Sequence, residues 1–335
     1  MKKWLLFTAA TLLALLTLLS ALGLWGYQQL QQFSKTPLAL DAPQEFQVAP
    51  GTSFHHLGRA LQQQGLLQYD WHWKLLGKLQ PSLTAIRSGV YEITPGDTPV
   101  SLLQKLVTGD EKRFSLTLVE GKTINEWRRY LQQLPHLTHT TQPFLQVLQQ
   151  QGDLSAAPEG KFFPDTYQYR AGTALSTILE QSYRKMQQEL QQVWQARAAD
   201  LPLDSAYALL TLASIIEKET AKPEERQLIA AVFVNRLRKG MRLQTDPTVI
   251  YGMGDDFTGN LTRKDLLTTT PFNTYRIAGL PPTPIAAPGR EALLAAAHPA
   301  QVKYLYFVSR NDGSHVFSNT LAEHNRAVNR YQRKK

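Results

Sequence analysis

The strongest constraint on this chain is an uncharged, apolar segment that begins directly after two N-terminal lysines. Lys2 and Lys3 are followed by residues 4–34 without a single charge, and the apolar part runs from Trp4 to Trp25. As a helix, this part is roughly 33 Å long, which is enough to cross the hydrocarbon core of a bilayer. A cleaved signal peptide has a shorter apolar region that ends in a small-residue cleavage site. The segment therefore predicts a transmembrane helix over residues 4–26.

The residues at the two ends of this helix predict its orientation. Trp4 and Trp25 lie where aromatic side chains are enriched, at the two membrane surfaces. Lys2 and Lys3 belong to a tip of residues 1–3 that stays in the cytoplasm by the positive-inside rule. Everything after about residue 27 is then expected on the other side of the membrane.

Composition limits the rest of the chain to globular domains without thiol chemistry. The 335 residues are 43% hydrophobic and 19% charged, which fits two or three domains with cores of their own. The net charge of +9 is spread thinly, without a basic block interleaved with aromatic residues, so no nucleic-acid partner is expected. The sequence has no cysteine, which excludes disulfides and thiolate zinc sites, and its eight histidines are not spaced as metal ligands. We therefore expect no metal and no cofactor.

The part after the anchor is predicted to be α+β in fold class. Residues 27–44 are polar and carry two prolines, which predicts a linker. A strand, a Pro-Gly turn and a helix then occur twice, at 46–61 and 90–107, within an α+β module over residues 45–115. This unit resembles the LysM type of wall-binding module, and an α+β spacer without a ligand fits the same pattern. Residues 116–335 predict a mixed α/β domain with strands at 116–119 and 304–308.

One predicted helix, from about Tyr207 to Thr220, carries the candidate catalytic residue. Glu219 continues the helical face that holds Leu209, Leu212 and Ile216, whereas Glu217 lies on a neighbouring face. A carboxyl at the end of a buried face is poorly solvated, which raises its pKa toward the range that suits a general acid. Periodicity alone leaves open, and even favours, the alternative of a solvated glutamate at a fraying helix end.

The loops that follow the next helix supply candidate substrate-binding residues. After Gly240 the sequence becomes rich in polar side chains beside proline and glycine, over 241–251, 273–275 and 279–282. Such loops suit a polyhydroxyl ligand, with tyrosine faces for stacking on sugars and amide or hydroxyl groups for their hydroxyls. Ordinary turn chemistry explains them equally well. The candidates are Gln244, Thr245, Asp246, Thr248, Tyr251, Asn273, Thr274 and Tyr275.

Three motifs give the chain a family resemblance. They are ASIIEKET at 213–220, FVNRL at 233–237 and MRLQTDPTVIYG at 241–252. By these motifs the chain resembles the endolytic murein transglycosylases of the MltG (YceG-like) family over nearly everything after the anchor. Two positions depart from the family pattern: Thr283 stands where glycine is common, and Phe162-Phe163 stands where tryptophan is frequent.

The resemblance implies a location, an architecture and a set of partners. It implies a single-pass protein of the bacterial inner membrane with a LysM-like module and a periplasmic catalytic domain. In that domain, a lysozyme-like helix carries the essential glutamate, which is the second one of the Glu-Lys-Glu-Thr motif and here Glu219. The implied partners are peptidoglycan glycan strands, lipid of the inner membrane and peptidoglycan synthases.

The activity implied by the resemblance is endolytic lytic transglycosylation. The β-1,4 bond between N-acetylmuramic acid and N-acetylglucosamine is cut within a nascent strand, and a 1,6-anhydro end forms. Glu219 is then expected to act first as acid and then as base. Two alternatives remain: a hydrolytic muramidase with Asp246 as its second carboxylate, and a non-catalytic, membrane-anchored wall-binding adaptor.

Overall fold

The structure, a computed structural model, describes residues 2–332 and divides into two compact units. The first unit extends to Phe114 and the second begins at Ser115. Met1 of the predicted cytoplasmic tip and residues 333–335 of the predicted catalytic domain lie outside the described residues. Both units mix helices with short strands, so the α+β fold class is confirmed.

The N-terminal helix, α1 (Lys2–Lys35), confirms the helix predicted over residues 4–26. Of the helices that the structure describes, it is the one that is long and apolar enough to cross a membrane, and the residues of its most apolar stretch are not buried. The helix also continues beyond Trp25. Leu30, in its last turns, is buried together with Leu38 in the core of the first unit. The predicted linker over 27–44 is therefore wrong, because its apolar side chains pack against that core.

The first unit contains the predicted repeat of strand, turn and helix. Strands β1 (Gln44–Val48) and β2 (Gly89–Ile93) pair antiparallel. Each is followed by a helix, α2 (Phe54–Gln63) and α4 (Pro99–Thr108), and α3 (Trp71–Leu79) lies between them in sequence. The caps explain these bounds, since the Ser53 hydroxyl accepts a hydrogen bond from the His56 N–H and Gly109 ends α4 at φ = 73°.

The second unit is mostly helical, with strands that pair only in twos among the described residues. Strands β3 (Phe114–Thr117) and β4 (Thr166–Tyr169) form one pair, and β5 (Tyr306–Ser309) and β6 (His315–Ser318) form an antiparallel hairpin. The predicted strand at 304–308 thus starts two residues later and is half-buried rather than buried. The helices are α5 (Ile124–Leu131), α6 (Pro143–Gln150), α7 (Leu175–Gln195), α8 (Ala206–Glu219), α9 (Pro223–Arg238), α10 (Asp246–Met253), α11 (Arg263–Leu267), α12 (Arg290–Ala297) and α13 (Leu321–Tyr331).

Helix α8 forms the centre of the second unit. All side chains from Leu209 to Ile216 are buried, and α7, α9, α10 and α12 pack around the helix. Ser205 caps its N-terminus by accepting a hydrogen bond from the Ala208 N–H. A helix that is buried on all sides has a fixed position, so the residue at its C-terminal end is held by the core of the unit.

Candidate active site

Glu219 is the last residue of α8, at the point where the chain leaves the core. Thr220 follows in an extended conformation, and its hydroxyl accepts a hydrogen bond from the Lys222 N–H (3.0 Å). Pro223 then begins α9. This tight corner fixes the last turn of α8, and Glu219 opens from it onto a cavity of ≈ 410 Å³.

Two parts of the chain form the walls of this cavity. The first wall comes from the end of α9, the loop before α10 and the residue after Thr274. The second comes from the β5–β6 hairpin and α13, where His315, Leu321, His324 and Val328 line the space. The first wall carries Arg236, Leu243, Gln244, Thr245, Asp246 and Tyr275.

A hydrogen bond in the cavity joins Thr245 to Glu219. The Thr245 hydroxyl donates a hydrogen bond to Oε1 of the Glu219 carboxyl. Thr245 is itself fixed, because its backbone N–H donates to the Thr274 hydroxyl (3.1 Å) and its carbonyl accepts from the Thr248 hydroxyl (2.7 Å). One carboxyl oxygen of Glu219 is therefore held by a rigid loop, and the carboxyl faces the cavity.

The surroundings of Glu219 favour its protonated form. Burial raises the pKa of the Glu219 carboxyl to about 7, and the negative charge of Asp246 acts in the same direction. The hydrogen bond from Thr245 opposes this rise because it stabilises the carboxylate. A carboxyl with this pKa is protonated in about half of the molecules at neutral pH, which is the condition for a general acid.

Asp246 is the second carboxylate at the cavity. It is exposed to solvent, and the Tyr275 hydroxyl donates a hydrogen bond to its Oδ1 (2.6 Å). It lies in the first turn of α10. The two acidic groups of the cavity thus differ: Glu219 is half-buried, and Asp246 is exposed.

The structure brings together half of the predicted substrate-binding residues. Gln244, Thr245, Asp246 and Tyr275 line the cavity with Glu219. The other four, within the part of the chain that is described, brace the loops instead of lining the cavity. They are Thr248, Tyr251, Asn273 and Thr274.

Asn273 shows how this bracing works. Its side-chain amide donates hydrogen bonds to the carbonyls of Asp265 (3.1 Å), Leu266 (3.2 Å) and Thr268 (2.6 Å). Its own oxygen accepts from the Tyr275 N–H (2.9 Å). A fully buried amide cannot be reached by a sugar hydroxyl, so these bonds hold Tyr275 and the neighbouring loop in place.

The sequence match to a known family covers all of the residues that line this cavity except Gln332. A profile of the YceG-like family matches residues 46–330. The chain belongs to the YceG-like family. All three motifs that carried the resemblance lie within the matched range, and 213–220 and 241–252 supply Glu219 and Thr245, respectively.

Two relatives of this YceG-like protein share the name endolytic murein transglycosylase. It is 29% identical to the endolytic murein transglycosylase of Bacillus subtilis over 91% of this chain and 87% of the relative. It is 27% identical to the endolytic murein transglycosylase of Streptococcus pneumoniae D39 over 94% of this chain, and it spans 63% of that longer relative. The crystal structure of a yceG-like protein from Listeria monocytogenes matches it with a TM-score of 0.53 and 28% identity, covering 86% of this chain and all of that one.

Arg236 is a cavity residue of the YceG-like protein that sequence analysis missed. Its guanidinium donates to the carbonyls of Leu305 (2.7 Å) and Leu243 (2.8 Å) and to the side-chain oxygen of Gln244 (3.2 Å). It is only 8% exposed. Arg236 therefore ties the loop of the first wall to the segment that leads into β5. An arginine in the last turn of a helix is ordinarily expected in solvent. The one sequence signal for Arg236 is its place in the FVNRL motif, which does not indicate a role.

His315 is a second residue that sequence analysis missed. Glu225, in the first turn of α9, accepts a hydrogen bond from the His315 backbone N–H (2.9 Å), and its other oxygen lies 2.6 Å from Nδ1 of the ring. Both side chains are nearly buried. This pair fixes the imidazole, and with it the β5–β6 hairpin, against α9. In the sequence, Glu225 has the position of an acidic residue that complements a helix N-terminus, and its partner lies 90 residues away.

Two further buried carboxyls of the YceG-like protein lie outside the cavity lining. Glu217 accepts a hydrogen bond from the Gly289 N–H (3.0 Å), on a different face of α8 from Glu219, as predicted. Glu159 accepts hydrogen bonds from the Ile124 N–H (3.1 Å) and the Tyr251 hydroxyl (3.2 Å). Burial raises the pKa of Glu159 to about 7.

Proposed function

We propose that this YceG-like protein is an endolytic lytic transglycosylase of peptidoglycan. The bond cut is the β-1,4 link between N-acetylmuramic acid and N-acetylglucosamine within a nascent strand, and the new end is a 1,6-anhydro sugar, which terminates elongation. The observation that carries this proposal is Glu219: one carboxyl with a pKa of about 7, held by Thr245 in a cavity open to solvent. The relatives named endolytic murein transglycosylase support it.

The chemistry needs one group that first gives and then takes a proton. The protonated Glu219 donates its proton to the glycosidic oxygen as the bond to C1 of N-acetylmuramic acid breaks. The resulting carboxylate accepts the proton of the C6 hydroxyl of the same sugar, and that oxygen bonds to C1. The carboxylate formed midway keeps the hydrogen bond from Thr245, which stabilises it until the proton returns. A pKa near 7 suits both halves of the cycle, since neither proton transfer is strongly uphill.

A hydrolytic muramidase is the second candidate, and one observation favours it. Asp246 lines the same cavity and is solvated, as a base that activates water must be. Hydrolysis leaves a reducing end, which is one water heavier than the anhydro end. The mass of the products therefore separates the two reactions.

The test is digestion of purified peptidoglycan by the full-length protein, followed by mass analysis of the fragments. Anhydro ends are expected from the wild type, and reducing ends alone would reject the transglycosylase. Glu219→Gln keeps the shape of the side chain and should lower the rate by about 10²–10⁴. Glu217→Gln is the matched control: it removes a buried carboxyl from the same helix on another face and should retain activity. Binding of glycan by the wild type without any fragments would favour the adaptor.

The setting of this activity is also part of the proposal. Helix α1 would cross the bacterial inner membrane with its N-terminus in the cytoplasm, which leaves the second unit in the periplasm. The first unit would act as a LysM-like wall-binding module, supported by its two copies of strand, turn and helix. Helix α8, with an acid at its C-terminal end, would correspond to the catalytic helix of lysozyme-like folds. Peptidoglycan synthases that make the nascent strand are the expected protein partners.

A further inference from the structure

One face of α3 is apolar and basic, and its side chains are largely exposed. The helix buries Trp73 and Leu76 in the core of that unit. Its other side exposes Lys74 and Lys78, and with them Trp71 (42% exposed) and Leu79 (60% exposed). Residues 71, 74 and 78 lie on one face by helical spacing, and Leu79 borders it.

This face is unusual within its own unit. Among the described residues of the first unit outside α1, the large exposed apolar side chains are Trp71 and Leu79, and both belong to α3. Exposed apolar side chains on a small domain, placed together beside lysines, are typical of a surface that contacts another phase or molecule.

A ring contact relates this face to the end of the apolar segment. Trp25 of α1 stacks on Trp71 of α3, with ring centroids 6.2 Å apart and planes 26° apart. Trp25 ends the apolar run that begins at Trp4, so it lies at the height of the membrane surface if α1 crosses a bilayer. The stack then places Trp71 at that same height.

The junction between α1 and the first unit leaves little room between that unit and the bilayer. Leu30 is already packed into the core of the unit, and it follows Trp25 by five residues of continuous helix. This corresponds to about 8 Å along the axis. Some surface of the unit must therefore lie against the lipid headgroups, and the contact between Trp25 and Trp71 identifies α3.

We propose that the exposed face of α3 is a membrane-docking surface for the bilayer that α1 crosses. Trp71 and Leu79 enter the interfacial layer, and Lys74 and Lys78 pair with the phosphates of anionic lipid headgroups. The proposal rests on α1 being a membrane span and does not depend on the catalytic activity. By this proposal, the first unit has a lipid contact through α3 in addition to the membrane-spanning part of α1.

Single-site fluorescent labelling tests this surface, because the chain has no cysteine of its own. Leu79→Cys places the label on α3, Leu16→Cys places one within α1, and Leu154→Cys labels an exposed leucine of the second unit. The full-length variants are reconstituted into vesicles of phosphatidylethanolamine and phosphatidylglycerol. Quenching is measured with nitroxides at the lipid headgroup, with nitroxides deep in the acyl chain and with iodide in the water.

The expected result is a different quenching pattern at each site. The label at 79 should lose fluorescence to headgroup nitroxide and be shielded from iodide, whereas the label at 154 should respond to iodide alone. The label at 16 should respond to the deep nitroxide, and its failure to do so would overturn the anchor and the docking surface together. Iodide quenching at 79 as strong as at 154 would overturn the docking surface alone. So would shielding from iodide without lipid quenching, since that outcome means that protein covers α3.

The lysines provide an independent check. Lys74→Glu combined with Lys78→Glu reverses the charge of two exposed side chains and leaves the core of the unit intact. In anionic vesicles the label at 79 should then gain exposure to iodide and lose its quenching by headgroup nitroxide. In vesicles of neutral lipid the same pair of substitutions should change much less. An unchanged quenching pattern in anionic vesicles would contradict the role of the lysines.

Discussion

Two neighbours of Glu219 should move the pH dependence of the reaction in opposite directions. If the protonated Glu219 is the acid, kcat/KM falls as pH rises through its pKa of about 7. An ordinary glutamate of pKa 4.5 is protonated in only about 0.3% of molecules at pH 7, against about half for Glu219, which is a difference of roughly 150-fold. The position of this fall in activity is therefore a sensitive measure of what surrounds the carboxyl.

Removing the Thr245 hydroxyl should shift the fall in activity to higher pH. Thr245→Val keeps the shape of the side chain and the backbone hydrogen bonds of the loop, and it deletes the donor to Glu219. A hydrogen bond to a charged group contributes about 1.5–3 kcal/mol, which corresponds to about 1–2 pH units. The carboxylate loses this support, so the proton is held to higher pH.

Removing the Asp246 charge should shift the fall in activity to lower pH. Asp246→Asn deletes the negative charge that discourages ionisation of Glu219. We expect a shift of about 0.5–1 pH unit, at the low end for such charges because Asp246 is solvated.

The measurement is kcat/KM against pH between 5 and 9, by release of product ends from a defined glycan, for the wild type and both variants. Glu217→Gln is the control, and its profile should match that of the wild type. Shifts of the same sign in both variants, or no shift in either, would refute the assignment of Glu219 as the titrating acid.

Three other substitutions test the framework around the site. Arg236→Lys should lower kcat at least about tenfold with a smaller change in KM, because the loop that positions Thr245 loses its fork of hydrogen bonds; steady-state kinetics on glycan measure this. Asn273→Ala should lower the free energy of urea unfolding by about 1–2 kcal/mol, since it leaves part-buried carbonyls without their donor. Glu159 has a pKa raised from 4.5 to about 7, so it stabilises the fold fully below pH 4.5 and loses that contribution as pH rises toward 7. Glu159→Gln should therefore remove up to about 3 kcal/mol of the decline in stability between pH 5 and 8, and an unchanged decline would contradict this.

Short-range signals in the sequence predicted much of the secondary structure. The ends of α2, α4 and α9 follow from Ser53, Gly109 and Pro223, whose effects act within one helical turn. The placement of Glu219 and Glu217 on different faces follows from helical periodicity alone. The catalytic role of Glu219 stays a prediction that these contacts support.

Long-range pairing explains what the sequence could not predict. Asn273 and Thr248 have the side chains of sugar ligands, but their partners in the fold are backbone carbonyls and a threonine 26 residues away. In the sequence, Arg236 and Glu225 look like ordinary charged residues near the ends of a helix. In the fold they bond to Leu305 and His315, respectively, which lie far along the chain. The prediction of a linker was wrong for the same reason. The residues around Leu30 are polar, and the sequence does not show that Leu30 itself packs into the core of the first unit.

The second wall of the cavity is made from the last part of the chain, and this has a consequence for how the cavity is assembled. Glu219 is made before the β5–β6 hairpin and α13, which begin at residues 306 and 321. A chain synthesised only as far as the loop at 273–275 already contains Glu219 and Thr245, but it lacks the second wall of the cavity. The cavity around Glu219 is therefore complete only when the hairpin has docked on α9 through Glu225 and His315.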